Sequence, residues 1–108
     1  MNIGQIAKMA QQMQTQMAQA QQELAETTLE ATAGGGAVRV VITGAQEVRS
    51  VAIDPSAIDP EEGEMLQDLV MTAINEAISR SKELEKERMG KIAGGMGIPG
   101  MPGLPGLR

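Results

Sequence analysis

The stretch from Gly34 to Asp54 (Gly-Gly-Gly-Ala-Val-Arg-Val-Val-Ile-Thr-Gly-Ala-Gln-Glu-Val-Arg-Ser-Val-Ala-Ile-Asp) constrains the fold of this chain more than any other. It is the one region dense in β-branched residues, and glycine punctuates it where a hairpin needs turns. Two antiparallel strands are expected, Ala37 to Thr43 and Glu47 to Ile53. An even-length loop around Gly44-Ala45, with Gly44 first in a type II′ turn, places Val38, Val40 and Ile42 on the same face as Arg49, Val51 and Ile53. An odd-length loop would put those two sets on opposite faces. Thr27 to Ala33 reads as a third strand, joined through Gly34-Gly35-Gly36. The second face, with Arg39, Val41, Thr43, Val48, Ser50 and Ala52, is mixed in character, as a partly covered face would be.

Helices flank this sheet on both sides. From residue 3 to 27, Ile3, Ile6, Ala10, Met13, Met17, Ala20, Leu24 and Thr27 alternate spacings of three and four, the seam of a coiled-coil-like helix. Its Met residues read as adaptable core filling. Downstream, Asp54-Pro55 closes the last strand, and Asp59-Pro60-Glu61-Glu62 reads as an N-cap, a first-turn proline and a capping-box acid. A second helix is expected from about Pro60 to near Met89. Met65, Leu66, Leu69, Val70, Ala73, Ile74, Ala77 and Ile78 form a stripe wide enough to cover a sheet face. The helices would be on the order of 36 and 45 Å long, against roughly 23 Å for the strands. Both must overhang the sheet, and the charged end of the second becomes a prong. Residues 94–108 are dominated by glycine, proline and a collagen-like triplet period too short for a triple helix, so a flexible tail is expected after a single domain spanning 1–93.

Composition limits the chemistry. The 108 residues contain no Phe, Tyr, Trp, Cys or His. A core built from aliphatic residues, Ala and Met favours an oligomer over a self-sufficient monomer. Without His or Cys there is neither the usual general base nor a zinc pattern. The triple glycine lacks the Lys-Ser/Thr that would make it a phosphate loop. Ligand positions between Asp54 and Asp59 are filled by Pro, Ala and Ile rather than alternating oxygen donors, which rules out a calcium loop. The expectation is a non-enzymatic protein without a cofactor or metal, free of membrane spans and cytoplasmic.

The net charge of −5 by itself argues against a nucleic-acid partner, but its distribution is uneven. Asp59 to Glu76 contains acids and no base, whereas Arg80, Lys82, Lys86, Arg88 and Lys91 cluster near the end of the second helix, interspersed with Glu83, Glu85 and Glu87. A solvated face laced with i,i+4 ion pairs is the plain reading of that cluster.

The order of parts is distinctive: Met9-Ala10-Gln11-Gln12-Met13, the glycine turn, Val38-Arg39-Val40, Ile42-Thr43-Gly44-Ala45, Val51-Ala52-Ile53-Asp54-Pro55, Met65-Leu66-Gln67-Asp68-Leu69-Val70 and Ala73-Ile74-Asn75-Glu76-Ala77. In that order and spacing it resembles the YbaB/EbfC family of bacterial nucleoid-associated proteins over about residues 5–92. Family members often carry Phe where this chain has Ile74. The resemblance implies an α+β protomer (long helix, three-stranded antiparallel sheet, long helix; α-β-β-β-α) that forms a homodimer with projecting helices. It also implies sequence-tolerant binding of duplex DNA in the nucleoid. Lys8, Lys82, Lys86, Arg88 and Lys91 are then the expected phosphate contacts. Ile6, Met13, Met17, Val40, Ile42, Leu69 and Ile74 are the expected core and dimer residues. The alternative is a dimeric cytoplasmic adaptor for a protein partner such as a recombination or replication factor.

Overall fold

The structure, a computed structural model, describes residues 2–95. The elements follow the expected order: α1 (Ile3–Glu26), β1 (Thr28–Ala33), β2 (Val38–Thr43), β3 (Val48–Ile53) and α2 (Gly63–Gly95), with short 3-10 turns at Pro55–Ala57 and Pro60–Glu62. The expected flexible tail falls almost wholly outside the described residues. α2 runs to Gly95, past its expected end near Met89 and two residues beyond the expected domain boundary at 93.

Each end of α1 is fixed locally. Asn2 Oδ1 accepts from the Gln5 amide at 2.7 Å, and Gln5 Oε1 accepts from the Asn2 amide in return, a capping box that satisfies two orphan donors. Thr27 then turns the chain into β1. Between β1 and β2 the glycines 34, 35 and 36 all hold positive φ, at 64°, 68° and 97°. Side chains rarely tolerate that run, so this tight reversal depends on glycine. At the start of α2 the sequence expectation is corrected. Asp59 Oδ1 does accept a backbone amide, that of Glu61 at 3.0 Å, but Pro60–Glu62 closes as a 3-10 turn and the α-helix begins at Gly63.

The sheet is antiparallel in the order β1-β2-β3, with Ala31 opposite Val40 and Val40 opposite Val51. The β2–β3 loop is not the two-residue turn expected. Thr43 donates to the Glu47 carbonyl at 2.8 Å, which leaves a three-residue loop, Gly44 to Gln46. Gln46, not Gly44, takes the positive φ, at 61°. The odd loop does not invert the face because a register shift at Val41/Ile42 inserts one more residue. Ile42 therefore faces Val48, while Val38 and Val40 face Ile53 and Val51 and share the expected face with them.

One face of this sheet carries the core. Ala31 and Ala33 of β1, Val38, Val40 and Ile42 of β2, and Ala73 and Ala77 of α2 are buried together, with Leu66, Leu69, Val70, Ile74 and Ile78 packed around them. Alanine on both the helix and β1 lets α2 lie close over β1 and β2. Val40 and Ile42 are fully buried, while Leu69 and Ile74 are half-buried at the margin. The α1 seam is mostly uncovered within the single chain. Only Ala20 and Leu24 are buried; Met13 is half-buried, and Ile6 and Met17 remain 53% and 41% exposed.

Candidate nucleic-acid interface

Both helices outrun the sheet, and the molecule measures 69 × 30 × 16 Å. The overhang is a pair of helices rather than a lone prong. The second half of α1 packs along the C-terminal third of α2, around a shallow cleft lined by Gln16, Ala20, Glu23, Arg88, Lys91 and Ile92. Charge is divided sharply along this shape. Residues 2–22 carry a single charged side chain, Lys8, and residues 82–95 carry Lys82, Lys86, Arg88 and Lys91 against Glu83, Glu85 and Glu87. The remainder, residues 23–80, sets Arg39, Arg49 and Arg80 against eleven acidic side chains. With Glu23, which lies in the arm's interhelical cleft beside Arg88, the arm holds five basic side chains against four acidic, a small basic excess on a strongly acidic body.

The five expected contact residues all lie on the arm but do not form one patch. Arg88 is half-buried in the interhelical cleft, 3.8 Å from Glu23 of α1, and ties the two helices together. Lys91 pairs with Glu87 one turn earlier at 3.4 Å, an exposed i,i+4 pair of small energetic weight. Lys82 and Lys86 are exposed and make no ion pair among the described residues. They share a face turned about 100–140° from the buried Ser81. Lys8 is exposed on α1, likewise without an ion pair among the described residues.

The remaining arginines among the described residues are committed elsewhere, apart from one. Arg80 bonds Glu76 at 3.1 Å and the Glu30 carbonyl of β1 at 3.1 Å, which ties α2 to the sheet edge. Arg49 pairs with Glu47 at 3.2 Å. Arg39 stands exposed on the sheet face opposite α2. A lone arginine on a strand carries no signal in the sequence until the face is known to be uncovered.

A second surface is apolar. β3 has a neighbour on one side only, and its core-side residues Val48 and Val51 are 42% and 45% exposed because α2 lies over the other two strands. Between β3 and α2 opens a groove of ≈ 490 Å³ lined by Ile53, Leu66, Val70, Met71 and Ile74, with Gln67 and Asn75 at its rim.

No group of His, Cys, Asp or Glu with the geometry to hold a metal ion occurs among the described residues. One titration is displaced. The Asp54 carboxylate accepts the Ser56 backbone amide at 3.0 Å and the Ser56 hydroxyl at 2.9 Å, and these two bonds hold its pKa below the ordinary 3.8. Asp54 is fully exposed in the turn after β3, and its bonds organise that turn.

Such an architecture defines a class: a small, elongated α-β-β-β-α protein that offers a charged two-helix arm and an apolar sheet edge, and whose business is binding. The chain belongs to the YbaB/EbfC DNA-binding family, whose profile matches residues 1–96. A nucleoid-associated protein of Chloroflexus aurantiacus is 50% identical over 96 residues, covering 89% of this chain and 96% of that protein. One from Syntrophobacter fumaroxidans is 53% identical over 87 residues, or 81% of this chain and 79% of the relative. The fold also matches the crystal structure of an uncharacterized Helicobacter pylori protein with a TM-score of 0.77 and 25% identity, over 85% of this chain and 97% of the other. Membership in a DNA-binding family agrees with the absence of a catalytic constellation from the sequence. No helix among the described residues is long and apolar enough to cross a membrane.

Proposed function

We propose that this protein is a nucleoid-associated protein that binds duplex DNA as a homodimer, through phosphate contacts made by its helical arms and with little sequence preference. The observation that carries this reading is the charge division: an acidic chain concentrates its excess of basic side chains on the one part that projects from the body. Repulsion between the acidic body and the polyanion turns the arm toward DNA. Lys82 and Lys86 are the principal contacts, because Arg88 and Lys91 already hold carboxylates. Lys8 adds a charge from α1. A lysine on a flexible stem acts as a point charge and reads no base pattern, so the contacts orient the protein without specifying sequence. Glu83, Glu85 and Glu87 lie among the bases and keep the affinity low.

The groove between β3 and α2 is the proposed dimer surface. It supplies apolar area that the aromatic-free core lacks, and the open β3 edge beside it supplies unpartnered backbone groups. A dimer would present two arms to one duplex.

Titration of a short duplex across a salt series tests the reading. Log affinity should fall linearly with log salt, and the slope should be similar for unrelated sequences. Absence of duplex binding at low salt would overturn it and leave the adaptor reading, in which the same dimer receives a protein partner.

A further inference from the structure

The arm leaves the body at one point, and the tip of the β2–β3 hairpin is bonded to both helices there. On the α2 side the contact is Ser81, fully buried, at the place where α2 passes from the sheet to α1. Its hydroxyl donates to the Thr43 carbonyl at 2.7 Å and accepts from the Gln46 backbone amide at 3.1 Å and the Gln46 side-chain amide at 2.9 Å. That uses the one donor and both acceptor positions a hydroxyl has. The second hydrogen of the Gln46 amide goes to the Gly44 carbonyl at 3.1 Å, so its donors are used as well. On the α1 side, the Gly44 amide donates to the Leu24 carbonyl in the last turn of that helix.

Two features separate this cluster from ordinary turn packing. Gln46 holds φ at 61°, uncommon for a residue with a side chain, in the conformation that aims both its backbone and side-chain amides at Ser81. Ser81 also continues the buried Ala73/Ala77 line of small residues on α2. A hydroxyl at that place adds direction rather than apolar contact. Beyond it α2 packs along α1, with Arg88 3.8 Å from Glu23.

We infer that Ser81 and Gln46 are positioning residues for DNA binding: their saturated bond cluster locks the arm at one angle to the sheet, and that angle sets how well the basic side chains of the arm reach the phosphates. The inference rests on the DNA reading above for its second half only. Affinity for a ligand that needs one arm orientation falls in proportion to the fraction of molecules that hold it. Neither residue touches DNA, and neither changes the number of charges.

The test uses the absence of native cysteine. Spin labels at Gln12→Cys on the arm and Thr32→Cys on the sheet, both exposed sites, report the arm angle by pulsed electron resonance. Labelled chain is mixed with excess unlabelled chain so that one protomer is read at a time. The distance distribution should be narrow in the parent and should broaden with Ser81→Ala and with Gln46→Gly. The second variant eases the positive φ and keeps the backbone amide, so it stays folded should Ser81→Ala not. In both, duplex affinity should fall about two- to tenfold, the effect of losing one or two such bonds. The salt slope should stay as in the parent, because no charge is removed. A lowered melting point with an unchanged narrow distribution would make the cluster merely structural and overturn the inference. A broadened distribution with full affinity would overturn the link to binding. Should the parent bind no DNA, the distance measurement on free protein still decides whether the cluster fixes the arm.

Discussion

The backbone amide of Gly44 lies 2.9 Å from the carbonyl oxygen of Leu24, so the hairpin tip is seated directly against the last turn of α1. A Cβ on residue 44 would stand 2.7 Å from Leu24 Cδ2 and 3.0 Å from that carbonyl oxygen. Leu24 is fully buried, and its carbonyl is fixed by the helix. Gly44→Ala should therefore destabilise the protein by about 1–3 kcal/mol, the usual cost of overpacking. Gly63 has open space around its Cα and helical dihedrals, φ −60° and ψ −38°. Gly63→Ala should stabilise by about 0.4–1 kcal/mol through the unfolded chain. Denaturant midpoints at constant m-value measure both, and the two changes should have opposite signs.

Met71 tests the dimer surface. It is 57% exposed in the single chain and lines the apolar groove beside Ile53 and Val70. A glutamate at an exposed helical position costs little in a monomer. Buried without a partner in an interface, it costs about 3 kcal/mol or more. Met71→Glu should raise the dimer dissociation constant by about two orders of magnitude, as read by sedimentation equilibrium. A parent that sediments as a folded monomer at micromolar concentration, or a variant that dimerises as the parent does, would move the interface elsewhere.

Lys82→Gln with Lys86→Gln tests the phosphate contacts. Both side chains are exposed, and neither is in an ion pair among the described residues, so stability should hold within about 0.5 kcal/mol. Duplex binding should weaken about equally for all sequences, and the salt slope should flatten by roughly one unit for each phosphate no longer neutralised. Arg88→Gln should differ in kind. Its guanidinium holds Glu23 across the helix pair, so its removal should loosen the arm as well as take away a charge. An unchanged slope in the double lysine variant would shift attention to Lys8 or to Arg39 on the open sheet face.

The turn after β3 carries a pH signature. The Asp54 pKa is lowered first by the Ser56 backbone amide and second by the Ser56 hydroxyl. A carboxylate with a depressed folded pKa contributes stability above its unfolded value, and that contribution is lost as pH falls through the folded value. The carboxyl carbon of Asp54 should thus titrate with a midpoint below 3.8 by nuclear magnetic resonance. Ser56→Ala should bring it only part of the way back, because the larger cause is the backbone bond that alanine keeps. A full return to the ordinary value would place the whole effect in the hydroxyl.

Periodicity and turn chemistry were enough to read the element order from the sequence. The spacing of Ile3 to Leu24 and of Met65 to Ile78, the β-branched runs and the glycines at 34–36 are local signals, and each element formed where its signal lay. The overhang followed as well, since rise per residue is a property of the element and not of its surroundings. The hairpin shows where local reading stops. Two one-residue changes, a three-residue loop and a register shift, cancel in their effect on the face, so parity leads to the right face for Val38, Val40, Val51 and Ile53 through the wrong turn. What seats that loop is Leu24 on one side and Ser81 on the other, twenty and thirty-seven residues from Gly44, and no local pattern encodes such a meeting. Packing also decided which apolar residues count as core. The seam of α1 is regular throughout, yet among the described residues only Ala20 and Leu24 of it are buried, with Met13 half-buried. The sequence determined by itself the order of helices and strands, and the family to which that order belongs. Only the tertiary structure decided that Arg88 would bind Glu23 while Lys82 and Lys86 stayed open to a polyanion, because charge pairing depends on which helix lies alongside which, and side-chain chemistry alone does not contain that distance.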